Sequence, residues 1–122
     1  IGFDVYPIPQ EIAQTTTPYA AGKTPDYKQT IADYLRWMRD NAEGKPYFIA
    51  LQAFSYENLG EKWLGVETKG SRMPTKEEID DMINIAKENG ATYIIWFGPS
   101  YLKENGLAFW QDVLNSSSQF LK

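Results

Sequence analysis

The sequence has no cysteine and no histidine. Their absence removes disulfide cross-links, thiolate nucleophiles, cysteine-based zinc sites and histidine general bases. Acid–base chemistry, if there is any, falls to Asp, Glu, Tyr or Lys. Missing cysteine says little about compartment, because a chain of 122 residues can build a core without cross-links. Positive charge is also scarce. Twelve Lys and Arg face 16 Asp and Glu, leaving a net charge of −4 and a pI near 4.8. This argues against nucleic acid as a partner, since polyanion binding needs a basic patch or stripe. No run approaches the ~18 apolar residues of a membrane-spanning helix, so no membrane partner is expected. The Gly-rich patterns that cradle nucleotide phosphates are missing, and no carboxylates have the spacing of a metal loop. Neither a cofactor nor a metal is expected.

Aromatic residues, by contrast, are abundant: four Trp, eight Tyr and six Phe, 15% of the chain. Aromatic rings bury large areas, and more than half of these are assigned to the core. Those at strand ends and in loops are candidates for ligand contact.

Along the chain, strand and helix signals alternate. Ile1 to Ile8 favours a strand, with Phe3, Val5 and Tyr6, and is ended by Pro7 and Pro9. A long segment follows, from Pro9 to Pro25. Asp26 is a plausible N-cap for a helix running to about Glu43, whose apolar face is Tyr27, Ile31, Tyr34, Leu35, Met38 and Ala42, with Gly44 as its stop. Tyr47 to Phe54 is a near-continuous apolar run and reads as a strand buried on both faces. Ser55 to Pro74 is a second long loop. Thr75-Lys76-Glu77-Glu78 is a capping box, opening a helix with the stripe Ile79, Met82, Ile83 and Ala86 and the stop Asn89-Gly90. Ala91 to Phe97 is a third apolar strand. A last helix is expected from about Gly106 to Phe120, with Leu107, Trp110, Val113 and Leu114 facing inward. Trp37 and Trp110, both on helices, are read as packing residues.

The order strand–helix, three times over, predicts an α/β fold with a parallel sheet covered by helices. The connections from helix to strand are short, and those from strand to helix are long. Long loops gathered at the C-terminal ends of parallel strands mark the active-site face of a (β/α) barrel. An open doubly wound sheet binds ligands at the same ends and stays as the alternative.

Several segments resemble the end of a glycoside-hydrolase-type barrel from bacterial carbohydrate-active proteins. They are Asp4-Val5-Tyr6-Pro7 closing a strand, Lys45-Pro46 before a strand ending Leu51-Gln52-Ala53-Phe54, Arg72-Met73-Pro74-Thr75-Lys76-Glu77-Glu78-Ile79, and Gly90-Ala91-Thr92-Tyr93-Ile94-Ile95-Trp96-Phe97. In order and spacing they are similar to strands six, seven and eight with their helices. The resemblance covers nearly the whole chain. It implies that residues 1–122 form the C-terminal portion of a partial TIM barrel, three consecutive βα units, with the remaining units upstream of Ile1. It also implies an oligo- or polysaccharide as ligand, and a secreted or periplasmic location over a cytoplasmic one. An isolated piece of barrel is open to forming a homodimer through its bare sheet edges.

At the position where the large retaining clan of such barrels carries a nucleophilic Glu, this chain has Gln52, and an amide cannot form a glycosyl ester. The resemblance therefore leaves two readings, a glycoside hydrolase or a non-catalytic sugar-binding relic. An unrelated small α/β domain is a third. Hydrolysis needs two carboxylates across the scissile bond. Asp4, at a strand end, and Glu57, just after the second strand, are the candidates for catalysis. Tyr6, Gln52, Tyr56 and Trp96 are the candidates for substrate binding, by ring stacking and hydrogen bonds. Trp96, ending its strand, is expected to point into the cleft. Arg72 is expected to pair with an acid, and Thr75 and Glu78 to be structural.

Overall fold

The computed structural model describes residues 2–6, 8, 26–56, 62–63, 66–67, 71–98 and 107–121. In chain order these form β1 (Gly2–Asp4), α1 (Tyr27–Asn41), β2 (Phe48–Gln52), β3 (Lys62–Trp63), β4 (Val66–Glu67), α2 (Lys76–Glu88), β5 (Tyr93–Phe97) and α3 (Leu107–Ser117), followed by a 3₁₀ turn over Ser118–Leu121. The alternating strand–helix order is as expected. The segment 55–74, expected to be all loop, contains the small antiparallel pair β3–β4.

Local chemistry sets the helix ends. The Asp26 carboxylate accepts from the Lys28 N–H at 2.9 Å and caps α1. At its far end Glu43 shares the left-handed turn with Gly44, with φ +54° and +79°, and the Lys45 N–H returns to the Ala42 carbonyl. The capping box of α2 is complete: the Thr75 hydroxyl accepts from the Glu78 N–H and the Glu78 carboxylate accepts from the Thr75 N–H. Arg72 makes a two-pronged contact to the same carboxylate, at 2.5 and 3.0 Å. Gly90, at φ +79°, closes α2. A Cβ there would lie 2.7 Å from the Tyr47 hydroxyl, so both backbone and space call for glycine.

β1, β2 and β5 form one parallel sheet in that order, with Asp4 beside Ala50, Ala50 beside Ile95, and Gln52 beside Phe97. Both crossovers step the same way across the sheet, so right-handed connections lay the helices on one face. That face carries Phe3, Ile49, Leu51, Ile94 and Trp96. Its core joins Ile31, Leu35 and Met38 of α1, Ile79, Met82, Ile83 and Ala86 of α2, and Val113 of α3 with Ile49 and Leu51. Each fully buried aliphatic side chain contributes about 1.5–3 kcal/mol. Tyr27 donates to Asp81 at 2.9 Å and Lys28 pairs with the same carboxylate, tying α1 to α2.

The opposite face has no helix among the described residues. Burial on both faces, expected of the apolar strands, holds through the middle of β2 but not for β5, which alternates. Tyr93, Ile95 and Phe97 are 45%, 43% and 47% exposed. Two further expectations are corrected. Leu114, assigned to the inner face of α3, is 64% exposed; Val113, assigned with it, is buried, and so is Ser116. Trp37, read as a packing residue, is 57% exposed. A helical stripe is only about 100° wide, and one residue of rotation moves a side chain from its rim to solvent.

Candidate functional site

Alternation along parallel strands in register places Asp4, Tyr6, Gln52 and Phe97 on the helix-free side, at the C-terminal ends of the strands. The Tyr6 hydroxyl donates to Asp4 Oδ2 at 3.0 Å, and Asp4 is exposed. The Tyr6 ring lies 5.3 Å from Phe54, edge-on, and 5.6 Å from Phe97. Phe54 is buried and meets the rings of Tyr56 and Phe97 edge-on as well, so four aromatic side chains from three strand ends share one cluster. Only Tyr6 and Phe97 reach solvent from it; Phe54 and Tyr56 form its floor.

Burial and electrostatics set the protonation of Tyr6. Partial burial pushes the Tyr6 phenol above the ordinary tyrosine range, and its hydrogen bond to Asp4, the Asp4 charge and nearby Tyr56 push the same way. Tyr6 is therefore a neutral hydroxyl donor at physiological pH, and Asp4 Oδ2 is its acceptor.

Gln52, expected to contact substrate, is fully buried, and its amide is bonded to the chain's own backbone. Its Oε1 accepts from the Ile8 N–H at 2.9 Å, and its Nε2 donates to the carbonyls of Ile8 and Phe54 at 2.5 and 2.9 Å. Both amide hydrogens are spent. The geometry makes it a clamp joining the segment after β1 to the segment after β2. Tyr56 joins the same two segments. It is buried, and its hydroxyl donates to the Tyr6 carbonyl at 2.5 Å.

Trp96 stands apart from these residues. It lies on the helix side, where its indole N–H donates to the Ser117 hydroxyl of α3 at 2.8 Å. The expectation that it points into the cleft is corrected by the pleat: the side chain ending β5 on the open face is Phe97. Phe54 and Phe97 are the residues that sequence reasoning passed over. The run Tyr-Ile-Ile-Trp-Phe has no polar residue to mark its faces, so only the register with β2 distinguishes position 96 from 97. Glu57 lies outside the described residues, as does most of the two long loops.

Among the described residues no group of three or more acidic side chains is placed to hold a metal ion, and no helix is long and apolar enough to cross a membrane. Compared with protein-family models, curated proteins and solved structures, the chain matches none.

Proposed function

We propose that the chain is a section of a (β/α) barrel resembling the last three units of glycoside-hydrolase-type barrels, and that it binds an oligo- or polysaccharide at the C-terminal ends of its strands. One observation carries the reading. On the open face, an exposed carboxylate held by a neutral tyrosine hydroxyl sits beside an exposed aromatic ring, Asp4 and Tyr6 next to Phe97. A pyranose has an apolar C–H face for the ring and hydroxyls for the acceptor and donor.

The barrel part of the reading is supported by the one-way strand order and one-sided helices. A doubly wound sheet reverses its order at the switch point and covers both faces. Gln52 stands where a nucleophilic Glu would, and an amide forms no glycosyl ester, which favours binding over hydrolysis at that strand end. Hydrolysis would need a second carboxylate facing Asp4 across the ligand. Glu57 is the candidate for it.

Calorimetric titration against a panel of plant and bacterial oligosaccharides tests the proposal. For the sugar that binds, Phe97→Ala and Asp4→Asn each weaken affinity about tenfold or more, and Tyr6→Phe by a lesser factor. Trp96→Phe, on the far side of the sheet, leaves affinity unchanged. A panel without any binder defeats the saccharide reading; a binder indifferent to Phe97 and Asp4 defeats the location.

A further inference from the structure

The two ends of the helix row differ in charge. α1 exposes Lys28, Asp33, Arg36, Arg39 and Asp40, and α2 exposes Lys76, Glu77, Lys87 and Glu88. From Ala108 to Leu121 every exposed residue is uncharged. Two of these are leucines, Leu114 at 64% and Leu121 at 87% exposure. Depletion of charge around exposed large apolar side chains is the compositional mark of an interface centre. At the other end of the row, beside β1, a hollow of about 320 Å³ is lined by Phe3, Asp33, Tyr34 and Trp37. Phe3 and Tyr34 stack at 4.1 Å, and Trp37 stands exposed. Among the described residues β1 and β5 are the two edges of the sheet.

We propose that these two ends are complementary halves of one interface, and that a second copy of this chain docks head to tail. The α3 face of one copy, led by Leu114, seats in the Phe3–Tyr34–Trp37 hollow of the next, bringing β5 beside the neighbour's β1. Within one chain each parallel strand is followed by its neighbour in one direction, and the helices lie side by side on one face. The head-to-tail contact continues that relation across chains, with the same strand direction and the same helix side. The charges flanking the hollow are already paired within the chain, Arg36 with Asp33 and Arg39 with Asp40. Apart from the partly exposed Asp112, the α3 face is uncharged, so its Leu114 side can cover the hollow without setting a new charge against those pairs. A two-fold contact of α3 on α3 would bury the leucines but leave the hollow empty. The inference rests on the βα architecture and not on saccharide binding; it concerns residues 1–122 on their own, because further units of the proposed barrel would occupy the same two ends.

Sedimentation velocity of the full chain over about a hundredfold range of concentration tests it. The mass rises from that of one chain, 14.0 kDa, with increasing concentration. Trp37→Asp and Leu114→Asp each weaken association by about tenfold or more. Circular dichroism checks that both variants stay folded, as their exposed positions allow. Glu77→Ala, exposed on α2 away from both ends of the row, associates like the parent. The decisive arm mixes the two variants. Each retains one intact end, so the mixture forms a one-to-one complex that neither variant forms alone. A parent chain that stays monomeric throughout, or a mixture that stays monomeric, overturns the proposal.

Discussion

The two faces of the β1–β2–β5 sheet are built from similar residues and end in different states. On the helix side Ile49 and Leu51 disappear into a core shared by three helices. On the other side Tyr93, Ile95 and Phe97 remain close to half exposed. The helix side is held by many interchangeable apolar contacts. The open side is held at its C-terminal end by a few directional bonds, those of Gln52, Tyr56 and Tyr6. The first kind of region carries stability and tolerates substitution by volume. The second kind places particular polar atoms and tolerates very little chemistry.

That contrast is broken most directly in the core. Leu35→Ala, on the helix side, lowers unfolding free energy by about 2–5 kcal/mol, read as a shifted urea midpoint. A loss near zero would mean the helix layer is not the stabilising one. Next comes Gln52→Glu, which replaces a donor to two carbonyls by a carboxylate. It costs about 3 kcal/mol at neutral pH. The introduced acid has a raised pKa in the folded state, so stability recovers as pH falls towards 4 and is lost as pH rises. A variant as stable as the parent at pH 7 would show that the clamp contributes nothing.

Smaller effects sharpen the same comparison. Thr75→Ala removes half of the capping box and costs about 1 kcal/mol in thermal unfolding. Partial burial opposes ionisation of Glu78, but the Arg72 hydrogen bonds, the Thr75 N–H and the Arg72 charge outweigh it and hold the carboxyl below the usual glutamate range. Its contribution is present above the unfolded pKa, about 4.3, and is lost as pH falls below it. Arg72→Ala should flatten that acid limb of the stability profile. Tyr6 and Tyr27 work at the other extreme. Both are raised, by burial first and then by Asp4 and Asp81 respectively, so their stabilisation is complete below about pH 10 and is lost above it. Tyr6→Phe and Tyr27→Phe together should shift the onset of alkaline unfolding upward. The smallest effect is on the open face: Ile95→Thr in dilute solution changes stability by no more than about 0.5 kcal/mol.

Most elements were legible because their signals are local. The capping box at Thr75, the cap at Asp26 and the stop at Gly90 are chemistry between neighbours in sequence, and each occurs where the residues indicated. The stripe Ile79, Met82, Ile83, Ala86 is buried throughout. The site was legible in part. Asp4 and Tyr6 meet as a pair two residues apart at a strand end. Gln52 was recognised as a polar residue in an apolar strand, but its partners are 44 and two residues away. Trp96 and Phe97 could not be told apart, because an unbroken apolar run does not show its own pleat. Leu114 and Trp37 fell on the exposed side for a related reason: helix rotation is decided by neighbours, not by the helix.

The sequence by itself determined the succession of strands and helices, their caps, and the exclusion of thiol and imidazole chemistry. Those follow from short-range backbone sterics, local hydrogen bonds and which side chains are present. Only the tertiary structure decided which face of each strand the helices cover, that Gln52 is consumed as a clamp, and that Phe97 rather than Trp96 joins Asp4 and Tyr6. Those depend on strand register and helix rotation, set by packing between segments tens of residues apart.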